Sequence, residues 1–237
     1  MAKLVLGDVV LTAEDARTLE PRQWLEDQVI AFQLERLHRA AGSPKHLLLL
    51  EPSLGFTATM VPNAASLREM LSVTRTKEAG AGTLAQALAA AELVLLPVSN
   101  NDDASQVGGS HWSLLVYRRR SGADGAGPSR FEHYDSCGNA NAAFAKGIAL
   151  KFIPLLQPTD RGPTLKLVSM TTPQQVNGFD CGMYVLAIAE VMVQAHAEGG
   201  AEVASEALRE RVTAPGVAAK REALLKELRE GLARGSL

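Results

Sequence analysis

Between residues 24 and 41, Leu25, Val29, Ile30, Phe32, Leu34 and Leu37 spread over one broad helical face. Pro21 before this stretch and Gly42-Ser43-Pro44 after it bound a helix. Upstream, residues 1–20 read as a short strand and a linking segment, with a turn of helix over 15–19. Residues 47–50 form a short apolar strand, followed by a loop containing Pro52 and Gly55. Helical periodicity returns over 64–73 and 84–91. Residues 92–98 are a continuous apolar run, as in a strand buried on both faces. Residues 111–117 and 131–136 alternate as strands. The charged, Gly- and Ser-rich 118–130 between them reads as an exposed hairpin tip, with Arg118, Arg119 and Arg120 as solvated charges. Residues 142–156 form a helix carrying Phe144, Ile148, Phe152 and Leu155, and Pro154 weakens its last turn. A strand over 164–170 runs into a polar loop with an Asn177-Gly178 turn signal, and Cys181 then opens an apolar helix to about Ala197. Residues 201–235 read as two helices divided at 213–216. The pattern gives mixed α and β structure in a single domain over 1–237, with the C-terminal helices packed on the rest.

Composition narrows the function classes. The 237-residue chain is 46% hydrophobic and 21% charged, ordinary for a globular protein. Its net charge of −2 points to neither nucleic acid nor an anionic membrane. Two cysteines, Cys137 and Cys181, make no disulfide framework and fit a reducing compartment. The N-terminus has no signal-peptide core, and the longest apolar runs are too short to span a bilayer. The expectation is a soluble intracellular monomer, cytoplasmic or nuclear.

Candidate chemistry centres on Cys181. A thiol at a helix N-terminus lies where unsatisfied N–H groups and the helix dipole favour a thiolate. A small residue packed at the head of a buried helix is the competing reading. A cysteine nucleophile needs a base and a group to hold that base. Setting Tyr117 opposite Phe131 puts His111 and Asp135 on one face of the hairpin within a diagonal step, so Asp135 can orient His111. An oxyanion also needs donors: a side-chain amide and a backbone N–H from the helix start can supply them. Gln174 and Gln175 are both suitable amides, and their type does not separate them. Cys137 follows a strand end and lacks the helix-start setting. His133 lies deeper in the hairpin, where a structural role fits. His38, His46 and His196 show no metal-ligand spacing. The polar loop 99–110 is longer than most connections and is a candidate functional loop.

The motifs His111-Trp112-Ser113-Leu114-Leu115-Val116-Tyr117, His133-Tyr134-Asp135-Ser136, Pro173-Gln174-Gln175 and Asp180-Cys181-Gly182-Met183-Tyr184-Val185, with Trp24-Leu25-Glu26-Asp27, resemble the sentrin/SUMO-specific cysteine protease family in order and spacing. The likeness runs from about residue 5 to at least residue 197. It implies an α+β papain-like fold, with a central mixed β-sheet flanked by helices. It also implies His111 as general base, Asp135 as its orienting acid, Cys181 as nucleophile and Gln175 as the oxyanion donor. Trp24 and Trp112 match the tryptophans that cover the family's narrow tunnel for a Gly-Gly tail, where flat rings exclude side chains. Within the family, loop 99–110 resembles that of the deneddylase branch, which acts on the modifier called Nedd or Rub and on conjugates such as cullins. Asp27 is a candidate partner for a basic residue on the modifier. No metal or cofactor is implied. The rival expectations are a SUMO- or ubiquitin-specific protease of the same fold, a non-catalytic modifier-binding module, and an acyltransferase using the same triad.

Overall fold

The computed structural model describes residues 2–44, 46–76, 82–103, 105, 109–119, 129–156, 166–199 and 202–236. Its centre is a five-stranded mixed sheet of β3 (Leu47–Leu49), β4 (Leu93–Ser99), β5 (Trp112–Arg118), β6 (Arg130–Tyr134) and β7 (Lys166–Ser169), in that spatial order. The two outer pairs are parallel and the inner pairs antiparallel. A separate hairpin, β1 (Lys3–Leu6) and β2 (Val9–Thr12), occupies the N-terminal stretch read as a single strand. It leads into α1 (Ala13–Arg17), whose start Thr12 and Asp15 close as a reciprocal capping box.

Strand alternation divides the interior between the two faces of the sheet. Leu93 and Leu95 of β4, with Leu114 and Val116 of β5, enter one core together with α2 (Asp27–Ala40) and α7 (Cys181–Ala197). The N-terminal hairpin, α8 (Ser205–Arg211) and α9 (Ala214–Arg234) contribute to the same core. Val94, Leu96, Leu115 and Tyr117 enter the other, against α3 (Pro52–Met60), α4 (Ala64–Val73), α5 (Leu84–Ala90) and α6 (Ala142–Leu156). Both faces of β4 and β5 are therefore covered, which is why these strands read as unbroken apolar runs.

Three further sequence expectations change. The loop after β3 is helix α3: Pro52 occupies its first turn, where a missing N–H costs nothing. Thr213 caps α9, so Pro215 and Gly216 belong to the first turn of that helix and not to a break. Arg118 and Arg119 are not solvated tip residues, because β5 extends through Arg118 opposite Arg130. Arg118 is buried beside Glu132, with 3.7 Å between Nε and Oε1. Arg119 donates to the carbonyls of Ala89, Ala91 and Leu156, satisfying the ends of two helices. Arg120 and the rest of the expected tip, through 128, lie outside the described residues.

Candidate active site

The register Tyr117↔Phe131 expected from the sequence is the one observed. It brings the residue before β5, His111, to the same sheet end as the residue after β6, Asp135. His111 Nε2 lies 2.7 Å from Asp135 Oδ1. The imidazole also interacts with the side chain of Cys181, the first residue of α7, an interaction that favours its charged form. All three side chains are buried, Cys181 at 1% exposure. The hairpin register predicted that His111 and Asp135 meet, the family resemblance added Cys181, and the structure brings the three together.

The electrostatics follow from that arrangement. Burial opposes the charge on His111 but is outweighed by hydrogen bonds to Asp135 and Cys181 and by their charges, and its pKa is pushed up to about 10. Asp135 experiences the converse: burial works against the carboxylate, while His111 and two backbone N–H groups hold its pKa below the ordinary range. Those donors are Cys137 N, 2.8 Å from Oδ1, and Asn141 N, 2.9 Å from Oδ2. Cys137 itself is exposed, so its contribution is its backbone. His133 is fully buried and pairs with Ser113 Oγ at 2.9 Å, and burial lowers its pKa.

Two asparagines frame His111: Asn141, absent from the sequence expectations, and Asn100, within the loop expected to be functional. The Asn141 side chain, at the entrance to α6, donates to Val98 O and His111 O. Asn100 Oδ1 accepts from the N–H groups of Ser110 and His111, so it ties together the two ends of the 99–110 loop. Ala104 and residues 106–108 of that loop lie outside the described residues. The only sequence signal for Asn141 was its type at a helix start.

The adjacent glutamines separate clearly. Gln174 spends its side chain on the scaffold: Nε2 donates to Asp135 O and Thr172 O, and Oε1 accepts from Gly138 N. Gln175 Oε1 accepts from Ser136 Oγ at 2.8 Å, and Nε2 donates to Asn177 O at 2.6 Å. One amide N–H of Gln175 is left without an assigned acceptor. Ser136 directly follows Asp135, so one short segment holds both the carboxylate facing His111 and the amide of Gln175.

The flanking residues also occupy distinct settings. Trp112 is buried, its indole N–H donating to Leu25 O at 2.9 Å. Trp24 is 52% exposed and reaches the loop before Cys181, donating to Gly178 O at 2.7 Å. Gly182 permits the close approach of these walls: a Cβ there would stand 2.9 Å from Leu25 Cβ and 3.4 Å from Trp112 Cδ1. Asp27 is exposed in the first turn of α2, where a carboxylate also suits the helix dipole. Among the described residues, no group of three or more His, Cys, Asp or Glu is arranged to hold a metal ion. No described helix is long and apolar enough to cross a membrane.

A buried cysteine at a helix head, beside a histidine that a carboxylate orients, can transfer its proton and act as a nucleophile. Comparison with known proteins agrees. The sequence pattern of the Ulp1 protease family, C-terminal catalytic domain, matches residues 23–213. A probable sentrin-specific protease 8 from Dictyostelium discoideum is 32% identical over 196 residues, covering 79% of this chain and 73% of that protein. A NEDD8-specific protease 1 from Arabidopsis thaliana is 30% identical over 194 residues, covering 81% and 76%. Among solved structures, the Ulp1 protease domain in complex with Smt3, the yeast ortholog of SUMO, superposes with a TM-score of 0.62 at 18% identity. That superposition covers 97% of this chain and 88% of the other, and shares the fold. The family match spans the sheet and the head of α7 together, and on it the chain belongs to the Ulp1 protease family, as a cysteine-type peptidase.

Proposed function

We propose that the chain hydrolyses the bond after the C-terminal Gly-Gly of a ubiquitin-like modifier of the NEDD8 class, freeing it from a lysine or trimming its precursor. The observation that carries the reading is the His111–Asp135 hydrogen bond with Cys181 acting on the same imidazole, and the amide of Gln175 held in the loop just before Cys181. The choice of modifier is supported by the name of the Arabidopsis relative, a NEDD8-specific protease.

In the proposed reaction, Cys181 passes its proton to His111 and the thiolate attacks the terminal glycine carbonyl. The free N–H of Gln175 and the Cys181 backbone N–H, which has no intrahelical acceptor at the first position of α7, hold the oxyanion. Collapse breaks the C–N bond, and His111 protonates the leaving lysine amine. Water, losing its proton to His111, then cleaves the thioester and restores the thiol. Asp135 keeps the imidazole oriented throughout. Trp24 and Trp112 flank the approach, where their flat faces suit a tail without side chains, and Asp27 is exposed to meet a basic residue of the modifier. The whole of 1–237 acts as one monomeric unit, in the cytoplasm or nucleus, on conjugates such as cullins.

Electrophile-tipped NEDD8, SUMO and ubiquitin, each incubated with wild type and Cys181→Ala, test the reading. A NEDD8 adduct lost in the variant is the expected result. Adducts with SUMO or ubiquitin alone would sink the choice of modifier and keep the chemistry, and no adduct from folded protein would sink both.

A further inference from the structure

Arg221 lies on α9, beyond residue 213 where the family match ends, yet it reaches the loop that carries the nucleophile. It is 5% exposed. Its Nε donates to Asp180 Oδ1 at 2.7 Å, Nη2 to Phe179 O at 3.0 Å and Nη1 to Thr18 O at 3.1 Å. The guanidinium carbon also stands 5.6 Å from the centre of the Phe179 ring. One side chain thus joins the C-terminal helix, the segment leading to Trp24, and the two residues before Cys181.

The partner of this contact is unusual in what it does not do. Asp180 occupies the N-cap position of α7, where an aspartate ordinarily accepts from the second or third backbone N–H of its helix. Asp180 makes no side-chain cap bond. Its Oδ1 is taken by Arg221, and its Oδ2 accepts from Asn177 Nδ2 at 2.7 Å. Asn177 in turn accepts the Gln175 amide on its carbonyl. The carboxylate is therefore drawn away from the head of α7, where the thiolate and the oxyanion would both compete with a capping anion for the same positive field. Burying such a pair is a weak source of stability, so stability alone does not account for it.

We propose that Arg221 is a positioning residue for catalysis: it holds the Asp180 carboxylate off the head of α7 and fixes the 175–181 loop from outside the matched domain. The proposal rests on Cys181 being the nucleophile and does not depend on which modifier is cleaved. Its test has two readouts on folded protein, kcat against KM for the modifier substrate and the rate at which iodoacetamide alkylates Cys181, followed by mass spectrometry to separate it from the exposed Cys137. Arg221→Met is expected to lower kcat and the alkylation rate by about tenfold or more, with KM within about threefold, as loss of transition-state positioning requires. Removing the stranded charge as well, in Arg221→Met/Asp180→Asn, is expected to restore at least about a third of the wild-type rate, because an amide no longer competes as an anion. A docking role alone would give no such rescue. Rates for Arg221→Met within about twofold of wild type, or a double variant no faster than the single one, would overturn the proposal. Should Arg221→Met fail to fold, Arg221→Lys keeps the charge but loses the fork, and is expected to be about three- to tenfold slower. A lysine variant at the wild-type rate would also overturn it. If no modifier is cleaved but alkylation still falls, the substrate assignment fails and the role of Arg221 stands.

Discussion

Gln174 and Gln175 are neighbours of one type, and what separates them is the account of their hydrogen bonds. All three bonds of Gln174 go to the scaffold, whereas Gln175 is turned by Ser136 so that its amide faces Asn177 and keeps one N–H free. Gln175→Ala should therefore lower kcat by about 10²–10³ with little change in KM, as loss of an oxyanion donor does. Ser136→Ala should cost about tenfold in kcat and almost nothing further in the Gln175→Ala background, a non-additivity that a double-mutant cycle reads directly. Asp135 supports a pH prediction. The His111 pKa stands above its ordinary value, so the imidazolium persists below about 10 and is lost as pH rises through it. A step needing His111 as acid keeps its alkaline limb high in the wild type. Asp135→Asn removes the anion that stabilises the charge, so that limb should move to lower pH while kcat falls by about 10²–10⁴. A limb that stays in place in a kcat/KM profile would contradict this origin for the His111 shift.

At the scale of elements, the pairing and register of β5 with β6 were readable from the two-residue period about the hairpin, and β4 was readable as a strand buried on both faces, though not its partner. The helices flanking them were readable from their 3.6-residue apolar period, with α3 the exception. Its Pro52 and Gly55 read as loop residues, yet Gly55 is needed for contact: a Cβ there would stand 2.5 Å from Pro97 O on β4. Charge at a strand end was equally misleading. Glu132, fully buried on β6, faces Arg118, pairs with Arg130 at 2.8 Å, and accepts from Tyr134 Oη at 3.0 Å. The phenol's pKa is raised, first by burial and then by this carboxylate. Nothing in the spacing of the three residues announces a buried network, because partner identity depends on which strand face meets α7. Glu132→Ala would strand Arg118 in the interior and should cost about 3–5 kcal/mol, lowering Tm by roughly 10 °C. Thermal unfolding measures it, and a change below about 1 kcal/mol would mean the pair is solvated in solution.

For the whole molecule, what the sequence could not disclose is the reach of its ends. Thr18 and Arg221 meet at the loop before Cys181, a contact between segments far apart in the chain, and no local pattern encodes such a meeting. His111 and Asp135 were legible as a pair from the hairpin register, and Cys181 and Gln175 joined them through the family resemblance; their supports were not legible, because serine, asparagine and arginine are common at surfaces and acquire meaning only by burial. The position of α7 carries a last consequence. The helix that presents Cys181 is buried without interruption through its first nine residues and packs on β5 at the centre of the sheet. Many catalytic cysteines sit on peripheral loops that can loosen while the rest of the domain holds. Here Cys181 opens a segment buried over nine consecutive residues, so an opening that reaches it should cost about as much as unfolding the core around α7. Amide protons of Tyr184, Val185 and Leu186 should exchange only through complete unfolding, and thermal loss of turnover should coincide with loss of near-ultraviolet dichroism. Activity lost several degrees earlier would show that the site has an independent melting step.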